Sequence, residues 1–165
     1  MKSYLLMISA AALLCAAPAL ADGYYFAGAS QDATFYVVDT DTIKDLSPGK
    51  KSVQIIASRN GDGYDGDIKY SINTTYFDCA KPAYAEPLRV FYDASGAVIR
   101  QLDHTADAPY YRPILPNTLA DAQLKAVCTT DTATIAKGSL HFDDIAGLVK
   151  SLDDYYAAHQ SGSAH

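Results

Sequence analysis

The sequence contains no tryptophan and only three cysteines in 165 residues, and no two of these cysteines form a CxxC motif. The chain therefore lacks the paired thiols of a thioredoxin-like redox centre. Positive charge is also scarce, since 13 lysines and arginines stand against 19 acidic residues and no basic cluster occurs. Such a chain does not offer the basic surface that binds nucleic acid or anionic lipid by electrostatics.

The first 21 residues have the layout of a secretory signal peptide. Lys2 supplies a positive charge, residues 4–14 form an apolar stretch, and Ala19 and Ala21 give the small-x-small pattern of a cleavage site. The apolar stretch is shorter than the roughly 20 residues that a membrane-spanning helix needs. We therefore predict an exported protein whose residues 1–21 are cleaved, with no stable membrane insertion afterwards.

Cys15 lies within this predicted signal peptide, and the bulky Leu13 and Leu14 before it argue against a lipoprotein signal. Cleavage leaves Cys79 and Cys128, and two cysteines in an oxidising compartment predict one disulfide. A disulfide between Cys79 and Cys128, which are 49 positions apart, closes a loop and removes unfolded-state entropy that corresponds to about 4 kcal/mol of stability. We predict a structural bond that carries no chemistry.

Segments rich in apolar, aromatic and β-branched residues fill much of the chain, and turn residues separate them. They predict about six strands: Tyr24 to Ala29, Thr34 to Val38, Ser52 to Ser58, Asp67 to Cys79, Leu88 to Tyr92 and Ala97 to Leu102. The last two strands form a hairpin around a turn in which Gly96 can adopt a positive φ. The order predicts an antiparallel meander.

The fourth of these segments alternates over a long run. One face carries Ile68, Tyr70, Ile72, Thr74 and Tyr76, and the other, polar face carries Lys69, Ser71, Asn73 and Thr75. Continued alternation would place Phe77 on the polar face. We therefore predict a bulge or the end of the sheet near Thr75.

The period of the apolar residues changes after Pro116. Asn117 is the predicted N-cap of a short helix that ends at Cys128. The apolar side of this helix is predicted to consist of Leu119, Ala122, Ala126 and Val127. The disulfide would then join the short helix to the end of the long strand.

The segment from Ser139 to His159 predicts a longer C-terminal amphipathic helix. Its apolar stripe consists of Phe142, Ile145, Leu148, Val149, Leu152 and Tyr156. Gly147 in the middle of this helix predicts the close approach of another backbone. Together the elements predict one α+β domain over residues 22–159, with both helices on one face of the sheet and a disordered tail over residues 160–165.

Candidate chemical sites are few. Residues 60–67 have the acid and glycine density of a calcium loop, but Tyr64 stands where an EF-hand needs an oxygen ligand, so we predict a turn. His104 could be combined with Ser139, yet no nucleophile elbow surrounds that serine. We therefore predict no catalytic, cofactor-binding or metal-binding residue and no cofactor, with a secreted or periplasmic enzyme or enzyme inhibitor as the alternative.

Four segments resemble the surface-adhesin protein E family of small exported Gram-negative proteins: FYVVDTDTI, YFDCAKPAYA, FYDASGAVI and YRPILPNTLADAQLKAVC. The positions that match the family pattern are Tyr36, Asp39, Ile43, Phe77, Asp78, Cys79, Asp93, Gly96, Pro116, Thr118 and Cys128. The resemblance covers Thr34 to Cys128. It departs at Tyr111, where the family often has tryptophan.

This resemblance implies a sheet covered by a helix, a bond between the two cysteines, and a surface adhesin that binds host matrix or serum proteins and can dimerise. We therefore expect a non-enzymatic, exported protein-binding domain in the periplasm or on the cell surface. Its expected partner is a host matrix or serum protein or a protein of the envelope, with a homodimer as a further possibility.

Overall fold

The computed structural model describes residues 23–59, 66–129 and 139–160. The predicted signal peptide, most of the predicted turn over residues 60–67 and the end of the predicted tail lie outside the described residues.

One antiparallel sheet of eight strands forms the centre of the described part of the chain. Its strands are β1 (Tyr24–Ala29), β2 (Thr34–Ser47), β3 (Lys50–Arg59), β4 (Tyr70–Asp78), β5 (Ala83–Tyr92), β6 (Val98–Asp103), β7 (Arg112–Pro113) and β8 (Ser139–Leu140). The described helices are α1 (Leu119–Cys128) and α2 (Ile145–Gln160). This arrangement confirms the predicted α+β class.

The six long strands follow one another in space as they do in sequence, which confirms the predicted meander. The order across the sheet is β6-β5-β4-β3-β2-β1-β8, and β7 pairs with β5. Gly49 and Gly96 have positive φ values of 75° and 83°, which glycine adopts without steric cost, at the β2–β3 and β5–β6 turns. The meander therefore leaves β6 at one edge of the sheet.

Helices α1 and α2 cover opposite faces of the sheet, so the prediction that both helices lie on one face is wrong. Val38 of β2 packs in the apolar cluster that contains Val127 of α1. Its neighbour Val37 packs in the cluster that contains Leu148 of α2. Successive strand residues point to opposite faces, and a strand that is apolar on both faces needs a cover on each.

The polar face of β4 is buried. Ser71, Asn73 and Thr75 are at most 2% exposed, and Phe77 on the same face is fully buried. Strand β4 pairs with β3 in one continuous register. The predicted irregularity is found between Thr74 and Tyr76 in the pairing with β5, but the additional residue belongs to β5. Phe77 therefore shares a face with the polar residues without a bulge in β4 itself.

Strand β2 runs to Ser47, well past its predicted end at Val38. The register with β3 shifts between Asp39 and Lys44, and there the backbone N–H of Gln54 donates to the Thr42 hydroxyl at 2.8 Å. Pairing with β3 extends this strand through a polar stretch that hydrophobic alternation does not mark.

The N-cap of helix α1 lies one residue later than predicted. Thr118 is the N-cap, and its hydroxyl accepts the N–H of Asp121, whereas Asn117 has a left-handed φ of 60°. The side that packs on the sheet consists of Gln123, Leu124, Ala126 and Val127. The predicted positions Leu119 and Ala122 are only half-buried, because the helix is rotated relative to the predicted stripe.

The predicted C-terminal helix begins later than expected, because Ser139–Leu140 form strand β8 and α2 starts at Ile145, so Phe142 precedes it. The predicted stripe is confirmed within the helix. Leu148, Val149 and Leu152 are buried against the sheet, and Phe142, Ile145 and Tyr156 pack around them. The prediction for Gly147 is wrong, because a Cβ there would meet only the Asp144 carboxylate, at 3.3 Å. The N–H of Gly147 donates to that carboxylate at 2.7 Å, so the glycine belongs to the first turn of the helix. Gln160, assigned to the tail by the sequence, is the last residue of α2.

Candidate functional site

Cys79 and Cys128 form the predicted disulfide. Cys79 directly follows β4, Cys128 ends α1, and their Cα atoms are 5.7 Å apart across a sequence separation of 49 residues. Phe77 and Val127, which lie beside the two cysteines, are buried in one cluster. The bond thus fixes the C-terminal end of α1 on the sheet. The bond closes the chain between β4 and α1 and so restricts the unfolded state.

His104 and Ser139 lie at opposite edges of the sheet. His104 directly follows β6, whereas Ser139 pairs with Tyr25 of β1. The nearest acid to the imidazole is Asp107, at 3.4 Å, and the two side chains are 67% and 74% exposed. A pair so exposed to water interacts weakly. The sheet therefore does not bring these two sequence candidates together into a catalytic pair.

His104 also lies at the rim of an open cleft of about 470 Å³ beside Glu86, Pro87 and Tyr110. The cleft lies between β6 and β7, which both pair with the outer side of β5. At this point β5 also has the extra residue in its pairing with β4. The cleft is open to solvent, and the His104 side chain that lines it is exposed. It is part of the edge of the sheet.

Strand β6 forms this edge, and all six of its residues are exposed. Within the described residues it pairs on one side, with β5, and its other side faces outward. Three exposed large apolar side chains lie on it: Val98 at 60%, Ile99 at 43% and Leu102 at 47%. Natural sheets usually protect such an edge, because its free N–H and C=O groups accept another strand. Strand β6 therefore offers a surface for a further strand.

The β5–β6 turn is held by one carboxylate. Asp93 accepts the N–H and hydroxyl of Ser95 and the N–H of Ala97. The hydroxyl of Ser95, followed by these N–H groups, lowers the pKa of Asp93 below its usual value of 3.8. Ile99 is the additional residue of a bulge near this turn, since Tyr92 pairs with Val98 and Phe91 with Arg100. Beyond the bulge the edge is regular from Arg100 to Asp103.

Arginine is concentrated on the α1 side of this edge. The chain has four arginines, and three of them lie on β5, β6 and β7. Arg100 lies 4.4 Å and Arg89 5.9 Å from the ring centre of Phe91. Arg89 and Arg112 both bind Glu86, at 3.1 and 2.9 Å. Two guanidinium groups bind one glutamate and a third lies over the neighbouring Phe91 ring, so this edge of an acidic protein carries a local cluster of positive charge.

The sequence analysis did not predict this arginine cluster. The strand tyrosines proved to be half-buried or buried members of the sheet faces. Arg89 and Arg100 could have been placed near each other from the predicted hairpin, since residues at similar distances from its turn become cross-strand neighbours, but Arg112 lies outside that hairpin. Phe91 and Arg100 are such a pair.

Neither described helix is long and apolar enough to cross a membrane. In the described ranges no group of three or more histidine, cysteine, aspartate or glutamate side chains is arranged to hold a metal ion.

Residues 25–129 of the chain match the sequence pattern of a protein family that is described as Surface-adhesin protein E. The match extends from β1 to the residue after α1, so it contains the six long strands and both cysteines, while α2 lies beyond it. No curated protein and no solved structure matches the chain. A match over more than half of the chain identifies it as a member of the Surface-adhesin protein E family.

Proposed function

We propose that this protein is an exported, non-enzymatic adhesin domain that binds a polypeptide partner along the outer side of β6. The single observation that carries the site is the edge strand itself, whose six residues are all exposed and whose outer side is unpaired within the described residues. Membership of the adhesin family supports the class of function.

An extended segment of the partner would add to β6 as a further strand. In this mode of recognition, main-chain hydrogen bonds supply affinity and alternate side chains supply specificity. Burying Ile99 or Leu102 under the partner contributes about 1.5–3 kcal/mol for each side chain that becomes fully buried. The loss of translational and rotational freedom offsets part of that gain.

The charges on the edge indicate what the partner segment contains. On the α1 side of the edge, Arg100 pairs with Phe91 and Leu102 pairs with Arg89. Each of these pairs therefore combines one cationic and one apolar side chain. The partner segment that fits best carries apolar residues with a carboxylate opposite Arg100. Opposite charges of this kind accelerate association and fix the register.

We further propose export by the signal peptide over residues 1–21, with the domain in the periplasm or on the cell surface. Host matrix or serum proteins, or proteins of the envelope, are then the accessible partners. Protease treatment of intact cells tests the location, since a surface protein is digested and a periplasmic protein is protected.

The binding site is tested with a matched pair of variants. Leu102→Lys changes the edge strand, and Leu46→Lys changes a side chain of nearly equal exposure, 48% against 47%, at the far end of the β2–β3 hairpin. Binding is measured on immobilised extracellular-matrix preparation, whole serum and a solubilised envelope fraction. The proposal predicts a loss for Leu102→Lys alone, and equal binding by both variants would contradict it.

A second copy of the chain is a competing occupant of the same edge. Light scattering at several concentrations distinguishes the two cases, because self-pairing gives a dimer that Leu102→Lys dissociates. The enzyme alternative has less support, because His104 and Ser139 lie at opposite edges of the sheet. A secreted enzyme inhibitor would use the same edge against one protease, and inhibition assays separate it from an adhesin.

A further inference from the structure

A second pocket lies on the α1 side of the sheet, between the helix and strands β5 and β7. Its volume is about 270 Å³, and its wall is mostly polar. Its polar lining includes Asn73, Tyr84, Glu86, Arg89, Arg112 and Gln123. The volume lies just below the range of pockets for drug-sized ligands. The pocket therefore suits a small molecule.

Asn73 forms the floor of this pocket. It pairs with Ile55 on one side and with Arg89 on the other, so it stands in a row of side chains across β3, β4 and β5. Its side chain is 2% exposed, and its Oδ1 atom has no hydrogen-bond partner among the described residues. Buried acceptors in native proteins are nearly always bonded. An unpartnered acceptor at the floor of a pocket points to a ligand that donates to it.

The wall of the pocket is positively charged. Arg89 and Arg112 share one carboxylate, that of Glu86, and each uses its Nη2 atom to reach it. A guanidinium has five N–H donors, so both arginines keep donors for another group. Arg112 is also held 4.6 Å from the ring centre of Tyr84. Two oriented guanidinium groups favour a carboxylate.

The start of α1 adds to this field. Leu119 and Ala120, the first two residues of the helix, line the same pocket. The N-terminal end of a helix carries a partial positive charge and favours anions. Gln123, one turn further along, is 8% exposed and brings an amide that can donate and accept.

We propose that this pocket binds a small carboxylic acid that carries a hydroxyl or amino group next to its carboxylate. The carboxylate binds to Arg89 and Arg112, and the neighbouring O–H or N–H donates to Oδ1 of Asn73. The site is separate from the outer side of β6, so it does not depend on the proposed protein-binding function. This ligand class follows because the two arginines bind a negative charge and Oδ1 of Asn73 accepts a hydrogen bond from a donor.

The ligand class is tested by calorimetry on the purified protein with acids that differ by one group. L-malate, L-lactate and L-glutamate carry both features, succinate lacks the donor of malate, and dimethyl malate lacks its charge. We expect saturable binding of at least one of the first three. We expect about tenfold weaker binding for succinate, which lacks one buried hydrogen bond, and for the ester, which lacks the charge that pairs with the two arginines.

The role of Asn73 is tested with a matched control on the same strand. Thr75 is 1% exposed, and its hydroxyl is also without a partner in the described residues, but it does not line the pocket. Asn73→Leu is expected to weaken binding at least about tenfold without lowering the melting temperature. Thr75→Val is expected to leave binding unchanged. Arg89→Met is likewise expected to weaken binding, and Lys44→Met, at an exposed cation away from the pocket, is expected not to.

Two results would overturn the proposal. One is the absence of saturable binding by all the acids at tens of millimolar to folded wild-type protein. The other is equal binding by Asn73→Leu and Thr75→Val. Loss of matrix or serum binding in the Leu102→Lys variant has no bearing on either result, so the two proposals fail separately.

Discussion

The guanidinium of Arg100 lies 4.4 Å from the centre of the Phe91 ring, its direct cross-strand partner at the edge of the sheet. Phe91 is only 3% exposed although it stands one strand from the edge. A cation over an aromatic face is attracted by the ring, and its alkyl stem covers apolar surface. The arginine is thereby held in place over the ring, on the α1 face of the edge.

The first prediction concerns this charge. Arg100→Glu is expected to weaken partner binding about tenfold and to make it less sensitive to salt, because charge on an interface rim acts mainly on the association rate. Surface plasmon resonance at two salt concentrations measures both effects. Lys44→Glu, at an exposed position on the distant end of β2, is the control. Equal losses in the two variants would show that only net charge matters.

The second prediction concerns the turn that holds β6. Asp93→Ala removes the acceptor of the Ser95 and Ala97 hydrogen bonds, so the amides of β6 should exchange faster with deuterium while those of β3 do not change. The lowered pKa of Asp93 sets the pH dependence. Its stabilising effect is complete above the unfolded-state pKa and is lost as the pH falls through the lower, folded-state value. Unchanged exchange in β6 would contradict this role.

The third prediction concerns Asp39. Burial raises its pKa above the usual value of 3.8, so the folded state holds the proton to a higher pH than the unfolded state. Stability therefore falls as the pH rises from the unfolded-state pKa through the folded-state value. Asp39→Asn should increase the free energy of unfolding at neutral pH and give no gain below the unfolded-state pKa. The same gain at both pH values, or none at neutral pH, would contradict the assignment. Asp45→Asn, an exposed position on the same strand, is the control.

The fourth prediction concerns the disulfide. A loop of 49 residues predicts that the Cys79→Ser, Cys128→Ser double variant is less stable by about 4 kcal/mol. Denaturant unfolding of this variant and the oxidised wild type measures the difference. Reduced wild-type protein should resemble the variant. Equal midpoints for oxidised and reduced protein would show that packing alone fixes α1.

The strands and the class of fold could be predicted because they depend on local signals. The Asp93 to Gly96 turn has the residues that a β-hairpin needs, and its flanking strands are found as predicted. The apolar stripe of α2 has helical spacing and is buried as expected. In both cases neighbours in sequence determine the outcome.

The positions of the helices could not be predicted in the same way, because they depend on which face of each strand is covered. Val37 and Val38 are both fully buried, and such adjacent apolar residues in a central strand indicate two covered faces. Asn73 was assigned to a polar face because its side chain is polar. It is buried because α1, which the disulfide fixes to the end of β4, covers that face of the sheet.

The candidate site was beyond the sequence for a related reason. That β6 is an edge follows from the meander, but the arginine cluster requires the register of the hairpin and the placement of β7. Arg112 reaches Glu86 from 26 residues away. Such a contact has no local signature.

Hydrogen exchange of the β6 amides, with and without a bound partner, is the most direct test of strand docking on β6. The partner is taken from the matrix, serum or envelope fraction that the wild-type protein binds. A partner strand would protect amides between Arg100 and Asp103 that face outward, while the region around Leu46 would stay unchanged. Protection elsewhere on the domain, with β6 exchanging as fast as in the free protein, would contradict docking at this edge.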